Sequence, residues 1–181
     1  MVGMGLFTAI VVVLQLLGGG IRVGIFSFSF VLVPIVVGAA VYGWRTGAWL
    51  GFAFGVAVLL SGDANAFLIV DPLATVLVVL VKGTACGFFA GLIYRILHKW
   101  NRIVAVFTAA VICPVVNTGV FLIGCRLFFW ETIAAWGAAL GFTNAADYAI
   151  FGLAGINFII EIGVNLVLAP VIVRLIKIGT K

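Results

Sequence analysis

Four acids and seven basic residues of this chain sit at the joints between six apolar stretches, and that sorting decides what it can fold into. Of 181 residues, 10 are Lys or Arg and 5 are Asp or Glu, against 66% hydrophobic. Charged residues make up 8% of the chain, where soluble domains carry about a quarter. A helix needs roughly 20 apolar residues to cross about 30 Å of hydrocarbon. The expected fold is therefore an all-α integral membrane protein, a bundle of six transmembrane helices forming one domain, 1–181. The helices are expected at about 3–17, 26–43, 47–61, 73–97, 103–130 and 149–176.

The joints are sorted by sign. Arg45, Arg95, Lys99, Arg102, Arg174, Lys177 and Lys181 fall in the second and fourth connections and the C-terminal tail, while Asp63, Asp71, Glu131 and Asp147 fall in the third and fifth. Positive loops stay cytoplasmic, so both termini and the two basic turns are predicted on the inner face of a bacterial cytoplasmic membrane. Trp44, Trp49 and Trp100 near the inner boundary, with Trp130 and Trp136 near the outer one, agree with that orientation as aromatic belts. No loop is large enough for a basic surface outside the bilayer, so nucleic acid is not an expected partner.

Residues 1–17 read as the first helix and not as a cleavable leader, because no basic segment opens them and Gly18-Gly19-Gly20 follows. Pro34 is expected to kink the second helix. The apolar patch 66–70 is too short to span and is expected to fold back over the outer face. Residues 131–148 read as an outer loop, with room for a short interfacial helix. Cys86, Cys113 and Cys125 all lie in apolar segments, where scattered cysteines serve packing.

Small residues recur at helical spacing. Gly43, Gly47, Gly51 and Gly55 lie four apart, as do Gly83, Gly87 and Gly91, and Gly5 and Ala9 form a shorter pair on the first helix. Such rows let backbones approach closely and gain contacts that lipid cannot replace. They serve either packing within the bundle or docking onto another membrane protein, and Gly5 with Ala9 is the better candidate for docking.

Ionisable groups inside a bilayer are expensive and mark function by default. Lys82 lies about nine residues below the outer start of the fourth helix and Glu161 about a dozen below that of the sixth, which at 1.5 Å per residue puts both near mid-depth. Asn157, Glu161 and Asn165 share one face at four-residue intervals. Asn117 and Thr118 follow Pro114 on the fifth helix. Two arrangements fit these groups: an interhelical hydrogen-bond cluster with a neutralising Lys82–Glu161 pair, or a cavity that spends some of them on a ligand. Arg22, flanked by glycines on the first outer loop, is placed to fold over such a pocket. Arg126 is the other outer cation.

Catalytic chemistry has little to build on. His98, the single histidine, lies in a basic turn, no cysteine pair has metal spacing and no glycine loop is placed to cradle a phosphate. No metal, cofactor or ATP is expected on this chain, and the protein is read as a non-catalytic subunit.

Several blocks resemble the substrate-binding S components of energy-coupling factor (ECF) transporters. They are Gly5-Leu-Phe-Thr-Ala9, the run from Pro34 to Gly55 through Gly43-Trp44-Arg45-Thr46-Gly47, and the Asp71-Pro72-Leu73 segment, together with the six short-looped helices. Asn117-Thr118 and Asn157-x-x-x-Glu161 look most like pantothenate-type members. Gly5 stands where the family usually has alanine, an exchange that keeps the residue small. The resemblance implies capture of a water-soluble vitamin or precursor from outside, with Asn117, Asn157 and Glu161 on the ligand beside Thr118, Lys82 balancing charge and Arg22 closing over it. It also implies a membrane T component, docked through Gly5 and Ala9, and two cytoplasmic ATPases as partners. Two other readings remain: a rod-shape morphogenesis scaffold with no small-molecule ligand, and a stand-alone carrier.

Overall fold

Glycine at two turns sets the course of the first half of the chain. Gly43, with φ of 94°, ends one helix and starts the next, and Gly62, with φ of 84°, stops that second helix in the left-handed region where side chains are strained. The structure, a computed structural model, describes residues 2–18, 22–23, 26–27 and 30–179, with the side chains of 22, 23, 26, 27, 156 and 177–179 outside the description. Its helices are α1 (Val2–Gly18), α2 (Leu32–Tyr42), α3 (Trp44–Ser61), α4 (Asn65–Val70), α5 (Pro72–Leu97), α6 (Arg102–Phe128), α7 (Trp130–Ala139), α8 (Ala145–Asp147) and α9 (Ile156–Gly179), with a π-helical segment at Tyr148–Gly155 leading into α9. A strand pair, β1 (Arg22–Val23) and β2 (Phe26–Ser27), runs antiparallel with Arg22 opposite Ser27.

Among the described residues, four helices are long and apolar enough to cross a membrane: α3, α5, α6 and the continuous stretch Ala145–Ile176. Helices α1, of 17 residues, and α2, of 11, are shorter. The expected second helix at 26–43 is corrected here, because Phe26–Ser27 is strand and helix begins only at Leu32. The reason lies in Phe26-Ser27-Phe28-Ser29-Phe30, whose alternation has the period of a strand and not of a helix. The expected kink at Pro34 is corrected for the same reason. Pro34 sits in the first turn of α2, where a missing N–H leaves no intrahelical bond unmade.

The remaining boundaries follow local chemistry. The Asp71 side chain accepts from the Ala74 N–H at 3.0 Å, and Pro72 occupies the first helical position of α5. Asn101 caps α6 by accepting from the N–H groups of Ile103 and Val104 at 2.9 and 3.2 Å. The 66–70 patch folds back as α4, and the expected outer loop at 131–148 contains α7 and α8.

Helices α3 and α5 are pressed together by their glycine rows. A Cβ built on Gly51 would meet the Gly83 carbonyl, one on Gly47 the Gly87 carbonyl, and one on Gly91 the backbone of Trp44. These rows therefore pack within the bundle. The main core, drawn from α1, α2, α3, α5, α6 and α9, closes around Val11, Leu32, Ile35, Leu50, Val106 and Ile172. A smaller apolar cluster around Cys125, Phe129 and Ile133 caps the end of the bundle formed by α4 and α7.

Candidate functional site

Between the main core and that cap lies a cavity of about 360 Å³, within the size range of small-molecule sites. Lys82 from α5, Asn117 and Thr118 from α6, and Asn157 and Glu161 from α9 all line it. These five residues, singled out from the sequence as intramembrane polar groups, come from three separate helices and meet in one chamber. Helix α5 presents Thr75, Val78 and Lys82 to it at intervals of three and four, one face of a helix.

Asn117 is 6% exposed and its Oδ1 is buried with no hydrogen-bond partner, and the Asn157 Oδ1 is in the same state. Such orphaned acceptors are uncommon in folded proteins and ask for an explanation. Glu161 is 5% exposed, and its carboxyl group forms no hydrogen bond or ion pair among the described residues. Lys82 likewise has no ion pair there. Its Nζ lies 5.2 Å from the centroid of the Phe121 ring, a cation–π contact. No salt bridge joins Lys82 to Glu161 among the described residues, although each is the other's main opposite charge.

Asn165, on the same face of α9 as Asn157 and Glu161, does not reach the cavity. It is fully buried, and its Nδ2 donates to the Glu161 carbonyl at 2.8 Å. The π segment explains part of the chamber's shape. Tyr148 is wedged between Gly137 and Gly152, where a Cβ on either glycine would meet the ring, and the widened turn carries Gly152, Leu153 and Ala154 into the lining. Such turns recur at functional sites in helices.

One rim of the cavity was missed in the sequence. Gln15 is 6% exposed, and its Nε2 donates to the Asp63 Oδ2 at 2.7 Å, with the Ser61 hydroxyl 3.1 Å from the same oxygen. Both Gln15 and Asp63 line the cavity. The signal was present as a lone amide near the end of an otherwise apolar helix. Phe67 of α4 covers the chamber and stacks edge-on with Phe121, Phe129 and Trp136 at centroid distances of 5.7, 5.1 and 5.3 Å.

The backbone of Arg22 lies in β1, but its side chain falls outside the described residues. Arg126 packs over Trp130, 4.4 Å from the ring centroid. Gly5 and Ala9 sit on the exposed face of α1, and a Cβ at Gly5 would meet nothing within 4 Å. Among the described residues no group of three His, Cys, Asp or Glu side chains could hold a metal.

Fold and cavity together define a class, a membrane-embedded helical bundle around a polar-lined chamber with amide oxygens left unpartnered. The family model described as ECF transporter, substrate-specific component, matches residues 1–173, and the chain belongs to that family. It is thus the substrate-specific subunit of a vitamin-type membrane transporter. Members of this family are generally non-catalytic and work with ECF T and ATPase partners. No curated protein and no solved structure gives a significant match to the chain.

Proposed function

We propose that this chain is the high-affinity capture subunit of an ECF-type importer, taking a small water-soluble vitamin or precursor from outside the cell, with pantothenate the first candidate. Asn117, Thr118, Asn157 and Glu161 hydrogen-bond the ligand, Lys82 supplies positive charge and Arg22 closes over the chamber. The observation that carries the reading is the convergence of these polar side chains from three helices on one cavity, with the Asn117 and Asn157 oxygens unpartnered. An interhelical clamp would have paired them with each other. Asn117-Thr118 and Asn157-x-x-x-Glu161 are the pattern that favours pantothenate.

In this reading residues 1–181 form one domain that crosses the bacterial cytoplasmic membrane six times, with α1 and α2 completing the four longer spans. Both termini and the basic turns face the cytoplasm, where the sorted charge would hold them. Gly5 and Ala9 dock the T component, and two cytoplasmic ATPases supply the energy. The exposed, unobstructed face of α1 at Gly5 supports that assignment.

The test is native mass spectrometry of the detergent-purified chain from its own host, followed by tryptophan-fluorescence titration with a panel of B vitamins including pantothenate. A co-purifying or nanomolar ligand is expected. Asn157→Ala and Glu161→Ala should each weaken it about tenfold or more, since unmatched buried polar groups cost about 1–3 kcal/mol. A silent panel, with membrane partners recovered instead, would move the chain to a scaffold role.

A further inference from the structure

The charges lining the cavity are not all in the same condition. Asp63, Lys82 and Glu161 are the charged residues among its described lining. Asp63 is committed: its Oδ2 takes the Gln15 amide at 2.7 Å, with the Ser61 hydroxyl 3.1 Å away, so it serves the rim. Lys82 and Glu161 line one chamber and are each other's main opposite charge, but no hydrogen bond or salt bridge commits either among the described residues. An ammonium offers only donors and a carboxylate only acceptors. Burying either without a partner is costly, and a ligand that answers one alone leaves the other unmatched.

We infer that the ligand is bifunctional, carrying a carboxylate for Lys82 at one end and an O–H or N–H donor for Glu161 at the other. The inference rests on the capture reading above and narrows it to a chemical class. Asn117 and Asn157 line the same chamber with unpartnered Oδ1 atoms, and side-chain amides, which both donate and accept, suit a neutral polar middle such as an amide. Phe121, which already carries the Lys82 ammonium on its face, offers an apolar wall to the ligand chain. A simple cation would find Glu161 but meet Lys82 as a like charge. A simple anion would find Lys82 but leave Glu161 without a donor.

The experiment pairs ligand and protein changes. Pantothenate, which has a carboxylate at one end and hydroxyls at the other, is compared with pantothenol, in which an alcohol replaces that carboxylate, and with biotin, pyridoxine, riboflavin and thiamine. Binding is read from tryptophan fluorescence, since Trp136 lies 5.3 Å from the cavity-lining Phe67. The expected result is that an acid-bearing member binds and that Lys82→Gln weakens pantothenate about tenfold or more while changing pantothenol less than about threefold. Lys82→Arg should restore much of the preference for the acid, and Glu161→Gln should weaken acid and alcohol alike, because it touches the end they share.

Thermal unfolding of each variant serves as the folding control, and pantothenol reads the part of binding that does not involve the carboxylate. Binding confined to pyridoxine, riboflavin or thiamine would overturn the inference and leave the capture reading standing, as would Lys82→Gln acting equally on acid and alcohol. A panel in which nothing binds would overturn both.

Discussion

Helix α5 has two unlike sides. Toward α3 its glycines touch backbone directly, with Gly83 and Gly87 facing Gly51 and Gly47 and no room for a methyl group. Toward α6 and α9 it presents Thr75, Val78 and Lys82 to a cavity of about 360 Å³. Lipid is as apolar as leucine, so helices in a bilayer gain little from hiding apolar surface and gain from close packing. The glycine seam uses that gain fully and leaves nothing for a ligand to do. On the other side, aromatic and polar side chains line the cavity and leave polar atoms unmatched. Rigidity on one face of α5 is what lets the other face stay open.

The contrast is broken most severely at the seam. Gly51→Val sets a side chain against the Gly83 carbonyl, so α3 and α5 must separate. We expect a loss of about 3 kcal/mol or more and little monodisperse protein on size exclusion. Gly119→Val, at a position where a Cβ meets nothing within 4 Å, should behave like the parent. Wild-type melting of Gly51→Val would show that the seam is not held as described.

On the cavity side the sign reverses. Asn117→Leu is close in volume and removes a buried oxygen that has no partner. Ligand affinity should fall about tenfold or more, while the ligand-free protein melts at the same temperature or higher. Earlier melting without ligand would make Asn117 a structural residue and return the cavity groups to a packing role.

Gln15→Leu is expected to act more weakly and on both sides. It removes the 2.7 Å bond to Asp63 that ties the end of α1 to the cavity rim. A loss of about 1 kcal/mol in thermal unfolding and faster ligand release in stopped-flow fluorescence are expected. Unchanged release would confine Gln15 to packing.

The smallest effect on stability belongs to Gly5→Leu, at an exposed position with open space beyond it. Unfolding should move by less than about 0.5 kcal/mol, while recovery of the T component in pull-downs is lost. Intact recovery would place docking elsewhere on the chain.

Some of the structure could be read from residue order alone. Transfer of a residue into lipid depends mainly on that residue and its neighbours, so long apolar runs, charged joints and caps such as Asp71-Pro72 stand out without any knowledge of contacts. Lys82, Asn117, Thr118, Asn157 and Glu161 were visible for the same reason, being polar groups stranded in apolar helices at common depth. The strand pair was hidden because the run Phe26-Ser27-Phe28-Ser29-Phe30 looks as apolar as a helix, although its period of two argued otherwise.

What only the tertiary structure decided concerns distances between separate helices. Gln15 and Asp63 lie 48 positions apart and meet because α1 packs beside the end of α3. The π segment widens around a tyrosine ring seated between glycines of α7 and of the segment itself. Lys82 and Glu161, from α5 and α9, come to line one chamber through the packing of separate helices. Depth is a sum along one chain; separation depends on how several helices pack at once, and no single stretch of sequence encodes it.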